Sequence, residues 1–387
     1  MTNILREFSF ELPTRIEYGV GVISKLGDEL RLLKAQKVAI ITDPGIIKAG
    51  LLDKITSILK EEKLLYNVFD GVDPNPKDRN VERGAQVVRS FDADAMVAIG
   101  GGSVIDCAKA IGVLVSHDGK RIKDFEGKTA VKKQILPFIA IPTTAGTGSE
   151  VTFSAVITDT ENNYKMTVRS PFMAAKVALL DPKLTVTVPP HITASTGMDA
   201  LTHAIEAYTV KVSEPVSDAL ALYAIELISN NLVNAVKNGE DIEARACMLV
   251  GSLLAGIAFS HSDVGSVHCM AEALGGVYDA PHGICNAVLL PYVMEYNVEF
   301  CLEKYSRIAQ AMGEVFYTIE EGAMKAVERV KELAVDVGLP SFKSLGVKEE
   351  DLEKLADMAA KNISTESNPR EMTKEDYLTL FRRAMAD

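Results

Sequence analysis

The sequence predicts an N-terminal α/β domain built on a parallel sheet, followed by an all-α domain. Three observations carry this. Short Val/Ile/Ala-rich runs alternate through the first half with helical patterns of about 10–15 residues, as strands buried on both faces by crossover helices do. Strand-like runs stop after VALLDP (177–182), and long Ala/Leu/Glu-rich helical patterns follow. The chain has 387 residues, more than the roughly 250–300 at which a single core stops growing.

The elements follow in order. KVAIITD (37–43) reads as a buried strand and IIKAGLLDKITSILK (46–60) as a helix. LLYNVF (64–69) is the next strand, KDRNVERGAQVVRSF (77–91) the next helix. DAMVAIG (94–100) and SVIDCAKAIGVLV (103–115) repeat the pair, and LPFIAIP (136–142) is a fourth strand. The prolines of LTVTVPP mark a break near Leu184–Pro190. Beyond it EPVSDALALYAIELISNNLVNAV (214–236), DIEARACMLVGSLLAGIAFS (241–260) and the tail from Phe316 are helical in pattern. The expected domains are residues 1–184 and 185–387, with a cleft between them as the default ligand site.

Composition narrows the partners. Hydrophobic content of 47% and charged content of 24% are ordinary for a globular protein. A net charge of −12 argues against nucleic acid or an anionic membrane, because both demand a basic surface. No run of about 18 uninterrupted apolar residues suggests a membrane span, and no basic segment precedes an apolar core at the N-terminus. The five cysteines form no CxxC pair and lie in apolar stretches. They are expected as reduced thiols of a cytoplasmic protein rather than as a zinc-binding or disulfide framework.

Two loops suit phosphate. IGGGSVIDCAKA (99–110) runs from a strand through Gly100, Gly101, Gly102 and Ser103 into a helix. Glycine allows close backbone approach, and N–H groups at a helix start attract anions. The spacing is not GxGxxG, so the standard dinucleotide fingerprint is missing. IPTTAGTGSEVT (141–152) follows the fourth strand with Thr143, Thr144, Thr147 and Ser149 as hydroxyls. Parallel strands end at one edge, so both loops can face one crevice, and two such loops suggest a dinucleotide. Asp43 ends the 37–43 strand, where it either accepts from a ribose or caps the turn before Pro44–Gly45.

The helical half carries a different chemistry. In GMDALTHAIEAY (197–208), Asp199 and His203 are four residues apart and so share a helix face. An Asp–His hydrogen bond on a helix would satisfy that spacing as well as a metal would. Histidine occurs only six times, however, and His268 and His282 fall in the same half. One carboxylate with three imidazoles suits iron or zinc better than calcium or magnesium, which prefer oxygen.

With these residues in place, the chain resembles the iron-containing (group III) alcohol dehydrogenases over nearly all its length. The matching stretches are LPTRIEYG (12–19), ITDPG (41–45), IGGGSVIDCAK (99–109), PTTAGTGSEVT (142–152), LLDP (179–182), GMDALTHAIEAY, HCMAEALGGVYDAPHGICNAVLLP (268–291) and SNPREMT (367–373). The resemblance implies a dehydroquinate synthase-like architecture and hydride transfer between NAD(H) and a small primary alcohol or diol. It implies a homodimer or higher homo-oligomer in the cytoplasm, with no nucleic-acid or membrane partner. Asp199, His203, His268 and His282 take the positions of ligands to Fe(2+), with zinc as the other candidate ion. Asp43, Asn75, Gly101, Gly102, Ser103, Asp106, Thr143, Thr144, Thr152 and Lys165 match cofactor positions. Ser154 and Phe259 match the substrate pocket.

One departure stands out. Many members carry a further His four residues after the third ligand, and this chain has Glu272 there. Glu272 and His282 are thus the residues placed at the chemistry, Glu272 either as a proton relay or as a hydrogen-bond partner of a ligand imidazole. Glycerol dehydrogenases share the layout but use a three-ligand zinc site, so the four-ligand set favours iron. A dehydroquinate synthase would need Arg and Lys around the pocket, and none stands near the metal motifs. A non-enzymatic nucleotide-binding scaffold leaves the four ligands unexplained.

Overall fold

The structure, a computed structural model, describes residues 4–386. The α/β part contains strands β1 (Arg15–Tyr18), β2 (Lys37–Ile41), β3 (Leu65–Phe69), β4 (Ala95–Gly100), β5 (Phe138–Pro142), β6 (Ser154–Asp159), β7 (Tyr164–Arg169) and β8 (Val177–Leu180). Its helices are α1 (Leu26–Leu32), α2 (Pro44–Lys48), α3 (Leu51–Glu61), α4 (Asp78–Phe91) and α5 (Gly102–Ser116). The helical part comprises α6 (Pro190–Thr209), α7 (Pro215–Lys237), α8 (Ile242–His261), α9 (Ser266–Tyr278), α10 (His282–Ala311), α11 (Ile319–Asp336), α12 (Leu352–Ala360) and α13 (Lys374–Ala386).

Six strands form one parallel sheet in the order β1-β8-β5-β4-β2-β3. Strand β4 is buried at every position and β5 likewise, which is why both read as unbroken apolar runs rather than as an alternation. From β2 the chain first adds β3 on one side and then β4 on the other. The β2/β4 boundary is therefore a topological switch point, where the loops after neighbouring strands diverge and leave a crevice at the carboxyl ends.

The expected strands at 37–43, 64–69, 94–100 and 136–142 are present, each trimmed by one or two residues at one end. The expected helix at 46–60 is instead two, α2 and α3, parted at Gly50 in a left-handed conformation (φ 71°). Strand β1 and the antiparallel β6–β7 hairpin were not anticipated. The hairpin's polar residues gave no apolar run to read, and β1 has only four residues.

By packing, the described chain forms two units. One is Leu12–Thr144 with Ser149–Val188; the other is Pro189 onward, joined by Ala145–Gly148 and by the N-terminal stretch to Glu11. A single cut at residue 184 misses both excursions. The N-terminal one is pinned by Phe10 stacked on the His261 ring at 4.0 Å and by the Glu11 carbonyl accepting from His261 Nε2 at 2.8 Å. Helices α7 and α8 are long and apolar enough to cross a membrane by composition. Their apolar faces are instead buried against the rest of the helical core.

The second excursion depends on one glycine. Gly148 has φ +58°, and a Cβ there would stand 2.6 Å from Gly256 Cα and 2.9 Å from Ser252 O of α8. The loop backbone thus lies directly on the helix backbone, with no movable side chain to absorb an added methyl. Gly148→Ala is expected to cost roughly 2 kcal/mol or more, from left-handed strain and overpacking together. Urea unfolding measures it, and a midpoint equal to wild type would show that the loop does not pack there.

Candidate active site

Helix α6 is buried almost throughout its length, and from Gly197 to Thr209 at every residue. That explains its weak amphipathic pattern, since a helix packed on all sides needs no polar face. Its hydroxyls are satisfied internally, Thr202 Oγ1 donating to Met198 O and Thr209 Oγ1 to Ile205 O, both at 2.8 Å. Asp199 and His203 therefore project into the protein interior. Helix α9 brings His268, and the first residue of α10 is His282. Gly283 permits this approach: a Cβ on it would stand 2.5 Å from Ser195 O of α6.

Ligand atoms of Asp199, His203, His268 and His282 all lie within 4.8 Å of one another. The first three residues are buried and His282 is half-buried. The rings form a chain, His203 to His268 at 4.4 Å and His268 to His282 at 5.3 Å between centroids. Phe259 of α8 stacks on the His203 ring at 4.5 Å, so one expected pocket residue does lie against the cluster. Burial pushes His203 down to about 4, which leaves its imidazole neutral and able to offer a lone pair.

The cluster has more lone pairs than protons. Asn286, one turn beyond His282 on α10, directs Nδ2 at Asp199 Oδ1 (2.6 Å), His268 Nε2 (3.1 Å) and His282 Nε2 (3.1 Å). An amide has two hydrogens for these three acceptors. Turning the amide round would only point a carbonyl at a carboxylate. His203 Nδ1 is also buried without a hydrogen-bond partner. Leaving such groups unmatched costs about 1–3 kcal/mol each, and a divalent cation would satisfy all four ligands together. By donor type, geometry and lone-pair balance the residues fit a transition metal.

Two residues here were not anticipated. Glu206 lies seven residues after Asp199 and three after His203, on the same face of α6, and its Oε2 accepts from His268 Nδ1 at 2.5 Å. Asn286 follows His282 by four. Helical spacing was the available signal for both. Glu272 is half-buried and its Oε2 accepts from Asn362 Nδ2 at 2.5 Å; the carboxylate hydrogen-bonded to a ligand imidazole is Glu206.

In the α/β unit, Asp43, Gly101, Gly102, Ser103, Thr143 and Thr144 follow the carboxyl ends of β2, β4 and β5, whereas Asn75 follows β3, Asp106 lies in α5, Ser154 opens β6 and Lys165 lies in β7. Asp43 caps α2, its Oδ1 accepting from Gly45 N (2.7 Å) and Ile46 N (3.1 Å). The N-terminus of α5, at Gly101, Gly102 and Ser103, has no side-chain cap and no acidic residue in its first turn. Thr143, next to Thr144, donates its N–H to Gly100 O at 3.0 Å, which ties the two small-residue loops together. Bare N–H groups at the start of a 15-residue helix suit a phosphate. Lys165 Nζ donates to Asn75 Oδ1 at 2.9 Å, and Asn75 sits at φ 52°.

Asp106, Thr152 and Ser154 are organised by a residue that sequence reading passed over. Lys109 is fully buried in α5, and its Nζ donates to Ser149 Oγ (2.9 Å), Thr152 Oγ1 (2.8 Å) and Ser154 O (2.8 Å). Asp106 accepts from Ser149 Oγ and, through Oδ2, from Val156 N at 2.9 Å. Two charges three residues apart, Asp106 and Lys109, in an otherwise apolar helix were the signal. Burial pushes the Lys109 ammonium down to about 8, with Asp106 and Glu150 opposing. Burial pushes Glu150 up to about 7, against its own backbone hydrogen bond and Lys109.

Glu150 should therefore give a pH-dependent stability. Its unfolded carboxyl releases the proton near 4.5, its folded one near 7. The folded state holds the extra proton between these values, so the contribution is full below about 4.5 and is lost as pH rises through about 7. The stability of wild type relative to Glu150→Gln should fall by about 2–3 kcal/mol between pH 5 and 8. Urea unfolding across that range measures it, and a constant difference would mean the folded carboxyl is ionised throughout.

Comparison with known proteins covers both parts of the chain. Residues 13–182 match the family model for iron-containing alcohol dehydrogenase, and residues 193–385 match that for the C-terminal region of the Fe-containing alcohol dehydrogenase family. The 1,3-propanediol dehydrogenase of Klebsiella pneumoniae is 42% identical, across 98% of this chain and 99% of that protein. The NAD-dependent methanol dehydrogenase of Bacillus methanolicus is 40% identical, across 97% and 100%. The crystal structure of a 1,3-propanediol oxidoreductase superposes with a TM-score of 0.95 at 42% identity, covering 98% of this chain and 100% of that one. A buried Asp–His₃ cluster in a helical unit and an open helix start at the sheet's switch point thus occur in a chain that belongs to the iron-containing alcohol dehydrogenase family.

Proposed function

We propose that this protein uses Fe(2+) and NAD(H) to interconvert a small primary alcohol or diol with its aldehyde. The convergence of Asp199, His203, His268 and His282 within 4.8 Å carries the reading. The relatives named for propanediol and methanol set the substrate class. The ion, when bound, supplies Lewis acidity that lowers the pKa of an alcohol hydroxyl or polarises an aldehyde carbonyl. The four side chains hold it, Phe259 covers one ligand ring, and burial keeps His203 neutral for the purpose. The open start of α5 and the Thr143–Thr144 loop hold the pyrophosphate of the dinucleotide, with Lys109 fixing the loop from below. A cytoplasmic homodimer is the assembly we expect, and sedimentation of the purified protein tests it.

The metal reading predicts that anaerobically purified protein holds iron near one per chain, with zinc as the substitute after aerobic preparation. Asp199→Ala with His203→Ala should remove the ion and lower kcat/KM at least about 10³-fold, roughly 4 kcal/mol. Full activity in that double variant, or in metal-free protein, sinks the reading. A panel of aldehydes of increasing length with NADH, followed by absorbance, identifies the substrate.

Asp43 predicts the cofactor. A carboxylate at this strand end can accept from ribose hydroxyls and would repel a 2′-phosphate, so NAD(H) should be preferred over NADP(H). Asp43→Gly is a clean variant, because glycine at a helix N-cap costs only a few tenths of a kcal/mol. It should narrow the preference about tenfold, close to 1.4 kcal/mol, chiefly in KM for the phosphorylated cofactor. Equal use of both cofactors by the wild type would leave Asp43 as a helix cap alone.

A further inference from the structure

We propose that Glu206 is a positioning residue for the metal centre, and that the tail segment around Asn368 holds the same helix end in register. The inference rests on the metal-centre reading above and adds the group that aims one of its ligands. Asp199, His203 and Glu206 stand at i, i+4 and i+7 on one face of α6, so one buried helix presents two ligands and a third carboxylate together. Glu206 is 5% exposed. Its Oε2 accepts from His268 Nδ1 at 2.5 Å and its Oε1 accepts from Val267 N at 2.8 Å.

These two bonds fall on consecutive residues in the first turn of α9. The N-cap of that helix, Gly265, offers no side chain, so Val267 N is one of the donors a helix start leaves unmatched. A carboxylate from α6 caps α9 and grips its histidine in the same contact. A carboxylate can only accept, so Nδ1 of His268 must carry the hydrogen. The tautomer is thereby set, and the lone pair lies on Nε2, the atom 3.1 Å from Asn286 Nδ2 among the other ligands. A carboxylate behind a ligand imidazole orients the ring and strengthens it as a donor. Two buried carboxylates, Asp199 and Glu206, also match the charge of one divalent ion.

The tail completes the clamp. Asn368 Oδ1 accepts from Ser266 N, the preceding amide of α9, at 3.4 Å. Asn368 and Asn297 of α10 exchange amide hydrogen bonds at 2.9 and 3.0 Å, and Asn368 Nδ2 donates to Arg370 O at 2.7 Å. Ser266 Oγ meets Tyr377 OH of α13 at 3.0 Å. Successive amides of the α9 start are therefore taken by residues from α6 and from the tail. The SNPREMT stretch contributes no metal ligand, and this gives it a mechanical part in the site.

The test uses Co(II), whose visible absorption reports its ligand geometry, titrated into metal-free protein against a chelator. Glu206→Gln keeps an oxygen for Val267 N but presents an amide NH₂ to Nδ1, which forces the other tautomer and turns an N–H toward the ion. Co(II) affinity should fall 10–100-fold with an altered visible spectrum, while the melting temperature of the metal-free protein changes little. Asn368→Ala should weaken Co(II) binding several-fold, and it stands in should Glu206→Gln not fold. Wild-type affinity and spectrum in a folded Glu206→Gln overturn the proposal, as does wild-type affinity in Asn368→Ala for the tail. Asp199→Ala separates the layers. If it too binds Co(II) as wild type does, the metal-centre reading fails; if it alone loses Co(II), only the role of Glu206 fails.

Discussion

The helical unit is organised around a carboxylate that water cannot reach. Asp199 is 2% exposed in the middle of a helix that is itself buried. Taking an ion of that size out of water costs several kcal/mol even after relaxation. The single hydrogen bond from Asn286 returns about 1.5–3 kcal/mol, the range for bonds to charged groups. The balance must come from positive charge, which a neutral His203 does not supply and which a cation held jointly by Asp199 and the three imidazoles would. Folding α9 and α10 onto α6 thus makes sense as the completion of one buried charge.

The α/β unit meets a related constraint with the opposite sign. Lys109 is a fully buried ammonium, and its three hydrogen bonds go to Ser149 and Thr152 of the loop after β5 and to Ser154, the first residue of β6. Ser149, Thr152 and Ser154 cannot shift without stranding that charge, a loss of about 3–5 kcal/mol for a buried charge deprived of its partners. The loop is consequently rigid where a ligand-binding loop would otherwise be mobile. Asp106 serves the same end from the same helix, one turn before Lys109, by accepting from Ser149 Oγ and from Val156 N of β6. Asp106 and Thr152, expected from the sequence at the cofactor, hydrogen-bond within this network and fix the shape of the loop.

Legibility in the sequence followed the reach of each signal. Apolar strands buried on both faces announce themselves, and so β2, β4 and β5 were readable. The β6–β7 hairpin was not, because its polar residues leave no apolar run. The ligand set was legible from rarity and spacing, although only Asp199 and His203 are locally constrained. That His268 and His282 join them is a fact of tertiary packing, which the family resemblance could supply and periodicity could not. Glu206 was within reach of the same helical spacing that singled out His203, but a glutamate in an Ala-rich helix reads as solvated surface until its burial is known. Asp43 shows the reverse case: the structure shows the helix cap, and the ribose role is proposed from chemistry alone.

The two centres are incomplete in opposite senses. Around Asp199 and the three histidines there are more lone pairs than hydrogens, so the cluster lacks positive charge. At the start of α5 there is neither a capping side chain nor an acidic residue, so a helix end with its positive dipole lacks negative charge. Neither deficit is repaired within its own unit. A protein selected for stability alone would place a serine or aspartate before Gly102 and an apolar residue at Asp199, since both changes relieve a cost. Keeping both deficits is the mark of a fold that leaves room for a cation in one place and an anion in the other. A metal ion and a dinucleotide phosphate, the pair proposed above for hydride transfer to and from an alcohol, answer that description.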